Sequence, residues 1–312
     1  MNIVCGIDDK FVMPCGVLMT SIFENNKGID ITFYILTQGL LPCNVNKLKE
    51  LANRYQQKLS IVIVSQETLK GCPTAAHISI ASYNRILASD ILPADLDKCL
   101  YLDADMIVNG PIIDLYNTDL GNAAIGAVID QSCDDIRHYN RLGLDSDKGY
   151  FNAGLLLINL NLWKKEKLSP KILEYIDTHT GDLLFHDQDA LNGVLQNSKI
   201  FLPMKYNMQF SFLYKTPFIA KHRWNEMHDA AENPVVIHYT NKIKPWHRDC
   251  IHLYKEIWKS YYSKTTWGKN NLKAYSLGGY LKLKLKRVLA SLKIRKTVPP
   301  AMLRSEFYKY YR

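Results

Sequence analysis

The stretch CLYLDADMIV, residues 99–108, decides the fold. Its apolar first half reads as a central β-strand, and the run then ends in two acids, Asp103 and Asp105, two residues apart. On a strand that spacing sends both carboxylates to the same side. Like charges so close repel, and burial makes the repulsion worse. The pair therefore calls for a positive partner between it and a ligand.

Working outward, strand-like runs alternate with helical ones. NIVCGI (2–7) precedes a helix near 14–25, and ITFYIL (31–36) precedes one over 43–57. LSIVIV (59–64) follows, then a short helix near 79–89, then the opening strand, then AAIGAVI (123–129) and AGLLLINL (153–160). From Leu162 the pattern is mainly helical until VVIHY (235–239). This alternation predicts an α/β fold with a mostly parallel central sheet. In such a sheet, ligands bind beyond the carboxyl ends of the strands, where Asp103 and Asp105 fall.

The 312 residues, 47% hydrophobic, suffice for one large domain with an appendage. The longest apolar run, around 153–160, is too short to cross a bilayer. Seven scattered cysteines, odd in number and without Cys-x-x-Cys spacing, read as reduced, buried thiols of a cytoplasmic protein. The net charge of +9 is lopsided: residues 264–312 carry thirteen Lys/Arg and one acid, leaving 26 basic against 29 acidic residues in the body. Two parts are expected, a catalytic domain over 1–263 and a basic segment over 264–312. In the second, Leu281, Leu285, Val288, Leu289 and Leu292 share one helical face while Lys282, Lys286, Arg287 and Lys293 lie off it. A basic amphipathic helix suits an anionic membrane surface. A solvated helix packed on the body is the plainer alternative, and no nucleic-acid-binding pattern is present.

Several short segments carry polar chemistry. Two hard carboxylates suit Mg2+ or Mn2+, and an imidazole from His238, just after the late strand, would favour Mn2+. The loop HYTNKIKPWH (238–247) adds Lys242, Lys244 and His247, and Lys244 could neutralise a diphosphate. In GIDDKF (6–11), Asp8 and Asp9 could cap a helix or accept hydrogen bonds from a base or ribose. HISIASYNRIL (77–87) offers Arg85 for a carboxylate or a phosphate-bearing sugar. In YFNAGLLLINL (150–160), Asn152 could bind sugar hydroxyls and Gly154 permits close approach. HDQDALNG (186–193) reads as a helix start, where acids are favoured anyway. Gly-rich dinucleotide and P-loop fingerprints and the G-x-S-x-G elbow are all missing from the sequence.

The ordered set GIDD, HISIASYNR, YLDADMIV, YFNAGLLLINL, HDQDALN and HYTNKIKPWH, spanning residues 1 to about 250, resembles the family 8 glycosyltransferases. These are retaining, metal-dependent enzymes of GT-A fold, and the bacterial lipooligosaccharide α-galactosyltransferases are the nearest in kind. The resemblance implies that Asp103, Asp105 and His238 hold Mn2+, with Mg2+ a substitute. It implies that Gly6, Asp8, Phe11, His77, Arg85, Ala104, Asn152, Gly154 and Lys244 bind a UDP-hexose. Within that set Lys244 serves the pyrophosphate, and Phe11 stands where the family often has Tyr. Asp130, Asp187 and Gln188 would lie in the donor-sugar and catalytic cleft. Where related bacterial enzymes have Cys-Gly, this chain has Thr240-Asn241.

The implied reaction moves galactose or glucose from UDP to a glycan or glycolipid acceptor, in lipopolysaccharide or other surface-glycan synthesis at the cytoplasmic face of the inner membrane. Gln188, a neutral amide, is a poor nucleophile, which favours a same-face reaction over double displacement. A metal-dependent phosphoesterase and a non-catalytic sugar-nucleotide-binding protein are the alternatives.

Overall fold

The computed structural model describes residues 1–65, 67–69, 80–213, 219–268 and 272–291. Among them the strands are β1 (Asn2–Gly6), β2 (Thr32–Thr37), β3 (Lys58–Ile63), β4 (Lys98–Leu102), β5 (Met106–Val108), β6 (Ile125–Ile129), β7 (Phe151–Asn159), β8 (Lys199–Phe201), β9 (Met208–Gln209) and β10 (Val236–His238). Seven form one sheet in the order β3-β2-β1-β4-β7-β6-β8. β1 pairs in parallel with β2 and β4, as do β2 with β3 and β6 with β8, whereas β7 runs antiparallel to β4 and β6. The expected α/β architecture with a mostly parallel sheet is therefore present. The chain moves outward from β1 to β3 and then returns to lay β4 on the other side of β1. That reversal opens a crevice at the strands' carboxyl ends.

Burial follows from sequence. β7, FNAGLLLIN, sits in mid-sheet and buries eight of its nine residues, which explains an unbroken apolar run without alternation. β3 lies at an edge, and its Ile63 is 64% exposed. The helix Val12–Asn25 packs apolar side chains such as Val17, Leu18 and Ile22 into the core.

Three expectations shift. Asp103 and Asp105 do not lie on a strand: β4 ends at Leu102, and the acids occupy the turn that leads into β5. The turn bends the chain out of the large sheet, because β5 pairs antiparallel with β10, which is itself parallel to β9, in a second, three-stranded sheet. The helix expected near 79–89 is a 3-10 helix over Ile80–Leu87 followed by a short α-turn, Ala88–Ile91. The helix expected over 43–57 runs Pro42–Arg54, with proline at its first position as helices tolerate. Six cysteines are free thiols, five of them buried, while Cys72 lies outside the described residues.

The body's packing continues past residue 263. Thr265 and Trp267 are buried, and Lys264 pairs with Glu24 at 2.9 Å. Beyond it, the helix Leu277–Ser291 carries exposed Leu277, Leu281, Leu285 and Val288 along one face. Asp249 anchors its start, accepting from the Tyr275 and Ser276 amides at 2.7 and 3.2 Å. Leu292, Lys293 and the rest of the tail lie outside the described residues. No described helix is long and apolar enough to cross a membrane.

Candidate active site

The crevice gathers groups from elements far apart in sequence. β1 ends at Gly6 and Asp8 follows it; β4 ends just before Asp103, Ala104 and Asp105. β6 ends just before Asp130, and antiparallel β7 begins here with Asn152 and Gly154. The helix Asp187–Leu195 points its first turn in, with Asp187 and Gln188, and β10 ends with His238. All of these, together with Phe11, Arg85 and Lys244, line one cleft of about 340 Å³. Of the sequence-derived site residues, His77 alone lies outside the described residues.

At the centre, one ligand atom each from Asp103, Asp105 and His238 fall within 4.8 Å of one another. The His238 ring is oriented by Asn207, whose side-chain oxygen accepts from Nδ1 at 3.0 Å and whose amide donates to Asn152 Oδ1 at 2.9 Å. With its proton on Nδ1, His238 turns the Nε2 lone pair toward Asp105 Oδ1, 3.2 Å away. Two electron pairs facing each other need a cation or a proton between them. Fixing one ring nitrogen so that the other can ligate is the habit of metal-binding histidines. Gly154 leaves the ring its room, since a Cβ there would sit 2.4 Å from His238 Cε1. Two carboxylates and an imidazole are a donor set that fits Mn2+.

The positive partner demanded by the acid pair proves to be two residues. Arg85 Nη2 donates to Asp103 Oδ1 at 2.8 Å, and Lys244 Nζ to Asp105 Oδ2 at 2.6 Å. Burial raises the Asp105 carboxyl, but Lys244 and His238 outweigh it and hold its pKa well below the usual carboxylate range. Asp103 moves the other way: burial raises it more than Arg85 lowers it, and Asp105 adds to the rise. Arg85 also donates to the Ser82 and Ala153 carbonyls, lies over the Tyr101 ring at 4.6 Å and meets Asp187 at 3.0 Å. Burial lifts Asp187 to about 6 despite Arg85, with Asp103 adding to the rise.

Gln188 is held at both ends of its amide. Its Oε1 accepts from the Ala153 N–H at 3.0 Å and from Asn152 at 3.2 Å, while its Nε2 donates to Asp130 Oδ2 at 3.2 Å. Beneath it, fully buried Asp189 binds Arg141 at 2.9 Å and accepts from Tyr150 at 2.6 Å. Asp130 is as fully engaged, accepting from the Ser132 hydroxyl at 2.6 Å and from Asn152 at 3.0 Å.

Two groups expected at an anion site are elsewhere. The Lys242 ammonium sits over the Tyr275 ring at 5.6 Å, and His247 Nδ1 accepts from the Lys244 amide at 3.1 Å. Neither lines the cleft, because the loop turns after Thr240 and presents Lys244 alone of the three. Asp8 caps the turn after β1, accepting from the Lys10 amide at 2.9 Å, and lines the cleft; Asp9 instead holds Leu41 and Asn44. Sequence reasoning missed Tyr101, Asn207, Gln131, Ser132 and Phe185. Tyr101 and Asn207 are fully buried, and no local motif distinguishes them from core residues.

The family model for glycosyl transferase family 8 matches residues 2–250 of this chain. The chain belongs to glycosyltransferase family 8. A lipopolysaccharide 1,2-glucosyltransferase of Escherichia coli is 30% identical over 269 residues, 85% of this chain and 79% of the relative. A lipopolysaccharide 1,3-galactosyltransferase of Salmonella typhimurium is 31% identical over 258 residues, covering 79% of this chain and 73% of that one. Among solved structures, the galactosyltransferase LgtC in complex with donor and acceptor sugar analogs superposes with a TM-score of 0.78 at 26% identity, covering 85% of this chain and 96% of LgtC. The glycosyltransferase fold is thus the GT-A fold that the motifs implied.

Proposed function

We propose that this family 8 glycosyltransferase moves galactose or glucose from a UDP-sugar to a glycan acceptor, with retention at the anomeric carbon, in lipopolysaccharide or other surface-glycan synthesis. One observation carries the reading: Asp103, Asp105 and His238 converge in the same cleft as Arg85, Asn152, Gln188 and Lys244. The named activities of the lipopolysaccharide glucosyl- and galactosyltransferases support the donor and acceptor classes.

Mn2+, or Mg2+ in its stead, held by Asp103, Asp105 and His238, would neutralise the charge that develops on the β-phosphate as UDP departs. Lys244 adds an ammonium for the same diphosphate. Asp8 and Phe11, at the end of the cleft formed by β1, are assigned to the uridine. Asp187 offers an acceptor for sugar hydroxyls while Arg85 keeps it paired, and Asn152, whose amide protons go to Asp130 and Gln188, holds those two groups in the sugar cleft. Gln188 does not act as a nucleophile in this scheme: an amide oxygen already bound by two N–H donors has little electron density to offer. The acceptor hydroxyl therefore attacks from the face that UDP leaves, and the departing phosphate takes its proton.

The division of labour along the chain belongs to the same proposal. The body through Trp267 is catalytic, and the basic segment beyond it docks on the anionic cytoplasmic face of the inner membrane. The exposed Leu277, Leu281 and Leu285 beside Lys282, Lys284 and Lys286 support this. Each Lys or Arg near such a surface contributes about 1 kcal/mol.

The test is incubation with Mn2+ and labelled UDP-galactose, UDP-glucose or UDP-N-acetylglucosamine, with and without a lipooligosaccharide acceptor. Hexose transfer that needs both metal and acceptor is expected. Acceptor-independent phosphate release would indicate the phosphoesterase instead, and nucleotide binding without turnover the non-catalytic protein.

A further inference from the structure

We infer that His138 is a positioning residue of the transfer reaction: held by Arg141, it starts a one-way chain of hydrogen bonds through Ser132 and Asp130 that fixes the Gln188 amide. The inference rests on the reading of the cleft as a sugar-transfer site.

His138 and Arg141 lie three residues apart on the helix Ile136–Leu142, a spacing that puts both on one face. His138 is buried and does not line the cleft, whereas Ser132, Asp130 and Gln188 do. Its ring stacks on Tyr150, with centroids 5.2 Å apart and planes at 16°, and Phe185 packs against it at 5.2 Å. The groups that the two ring nitrogens face decide their roles. Arginine only donates, so the lone pair of His138 is on Nδ1, 3.4 Å from Arg141 Nη2. The other end of the ring demands the same tautomer. A carboxylate only accepts, so the Ser132 hydroxyl gives its proton to Asp130 Oδ1 at 2.6 Å. Its oxygen then turns lone pairs to His138 Nε2, 3.0 Å away, which must carry the ring proton.

The chain ends on a saturated carboxylate. Asp130 Oδ1 accepts from the Ser132 amide at 2.9 Å as well as from the hydroxyl, and Oδ2 accepts from Asn152 at 3.0 Å and Gln188 at 3.2 Å. These donors match the roughly four acceptor sites of a carboxylate, so Asp130 has nothing left for a substrate hydroxyl. Its task is orientation. Facing it, Gln188 can present only Nε2, which leaves Oε1 to the Ala153 N–H at 3.0 Å. Arg141 closes the circuit, because buried Asp189, next to Gln188 in the chain, grips it at 2.9 and 3.1 Å. The amide on the sugar side of the cleft is thus set from two directions. Preorganised dipoles of this kind stabilise a transition state without reorganising during the reaction. None of the bonds from Arg141 to Gln188 involves a group assigned to the metal or the uridine diphosphate. Breaking the chain should therefore slow transfer and leave nucleotide binding alone.

The test uses the full chain with Mn2+, a lipooligosaccharide acceptor and whichever of UDP-galactose and UDP-glucose the wild type turns over. His138→Phe keeps a ring between Tyr150 and Phe185 but removes both nitrogens. It is expected to lower kcat about tenfold, the scale of one lost hydrogen bond, with UDP affinity in calorimetry unchanged. His138→Gln, whose amide can donate to Ser132 and accept from Arg141, should restore most of that loss. Ser132→Ala breaks the next link and should lower kcat to a similar extent, and the double variant should be no worse than the worse single. Nitrogen NMR of the wild type should find the His138 proton on Nε2, a measurement that needs no variant to fold. Unchanged kcat in His138→Phe overturns the inference, as do additive losses in the double variant, UDP affinity falling in step with kcat, or a proton on Nδ1. A wild type that transfers neither sugar is a different failure: it overturns the functional reading, and the role of His138 in transfer falls with it, wherever the ring proton is found.

Discussion

At the residue scale, the site is governed by which charges are compensated and which are only buried. Asp105, between an ammonium and an imidazole, keeps its charge at any physiological pH. Asp105→Asn removes a ligand oxygen and is expected to lower metal-dependent transfer by at least ~10²-fold, as loss of a transition-state charge stabiliser does; undiminished transfer in a Mn2+-dependent assay would overturn the scheme. Asn207 touches no ligand itself but fixes the His238 tautomer, so Asn207→Leu should weaken Mn2+ binding by ~10–100-fold while circular dichroism stays unchanged. Asp187 is different, with its carboxyl raised by burial to about 6. A folded-state value above the unfolded one means that the native state binds the extra proton, so stability falls as pH rises from the unfolded pKa through about 6. Asp187→Asn should accordingly melt higher than wild type at pH 8 and lose that advantage at pH 4. The charged form that pairs with Arg85 exists above the same value. The acid limb of kcat/KM in wild type is therefore expected near pH 6 and should be absent from the variant's residual profile.

At the scale of elements, the site depends on tight approach between strands. β7 passes so close to β10 that Gly154 has no space for a methyl group: a Cβ would lie 2.4 and 2.9 Å from two atoms of the His238 ring. Both strands are pinned by their ladders, so relief must come from the ring. Gly154→Ala is expected to cost ~1–3 kcal/mol in urea unfolding, in the range of overpacked cores, and to reduce Mn2+ affinity with it. Such close approach explains the glycine in a strand otherwise lined by leucines. The turn between β4 and β5 is where reading a strand from an apolar run fails. MIV after Asp105 is as apolar as CLYL before Asp103, but its partner is Val236–His238, some 130 residues away. Periodicity within ten residues cannot reveal which sheet a segment joins.

For the molecule as a whole, the boundary between body and tail matters most. Trp267 packs against Gly16 in the first helix, where a Cβ would meet its ring at 2.4 Å. A cut at residue 263 would remove that plug from the core. Truncation after Gly268 should leave transfer to a soluble acceptor intact and abolish sedimentation with anionic vesicles. Vesicle binding that persists in the truncated chain would place the membrane contact elsewhere.

The sequence by itself determined the α/β architecture, the sequence limits of most strands, and the residue types at the cleft, because apolar periodicity and polar motifs are local properties. It singled out Asp103, Asp105, His238, Arg85 and Gln188, the first three as joint holders of one cation, but not the side chains that each of them bonds. Only the tertiary structure decided that Arg85 and Lys244 divide the acid pair between them, that Lys242 and His247 turn away, and that Asn207 orients the imidazole. These are contacts between segments separated by up to 139 residues, formed when β1, β4, β6, β7 and β10 bring their ends to one crevice. A carboxylate's partner is fixed by distance in space, which the linear spacing of residues does not encode.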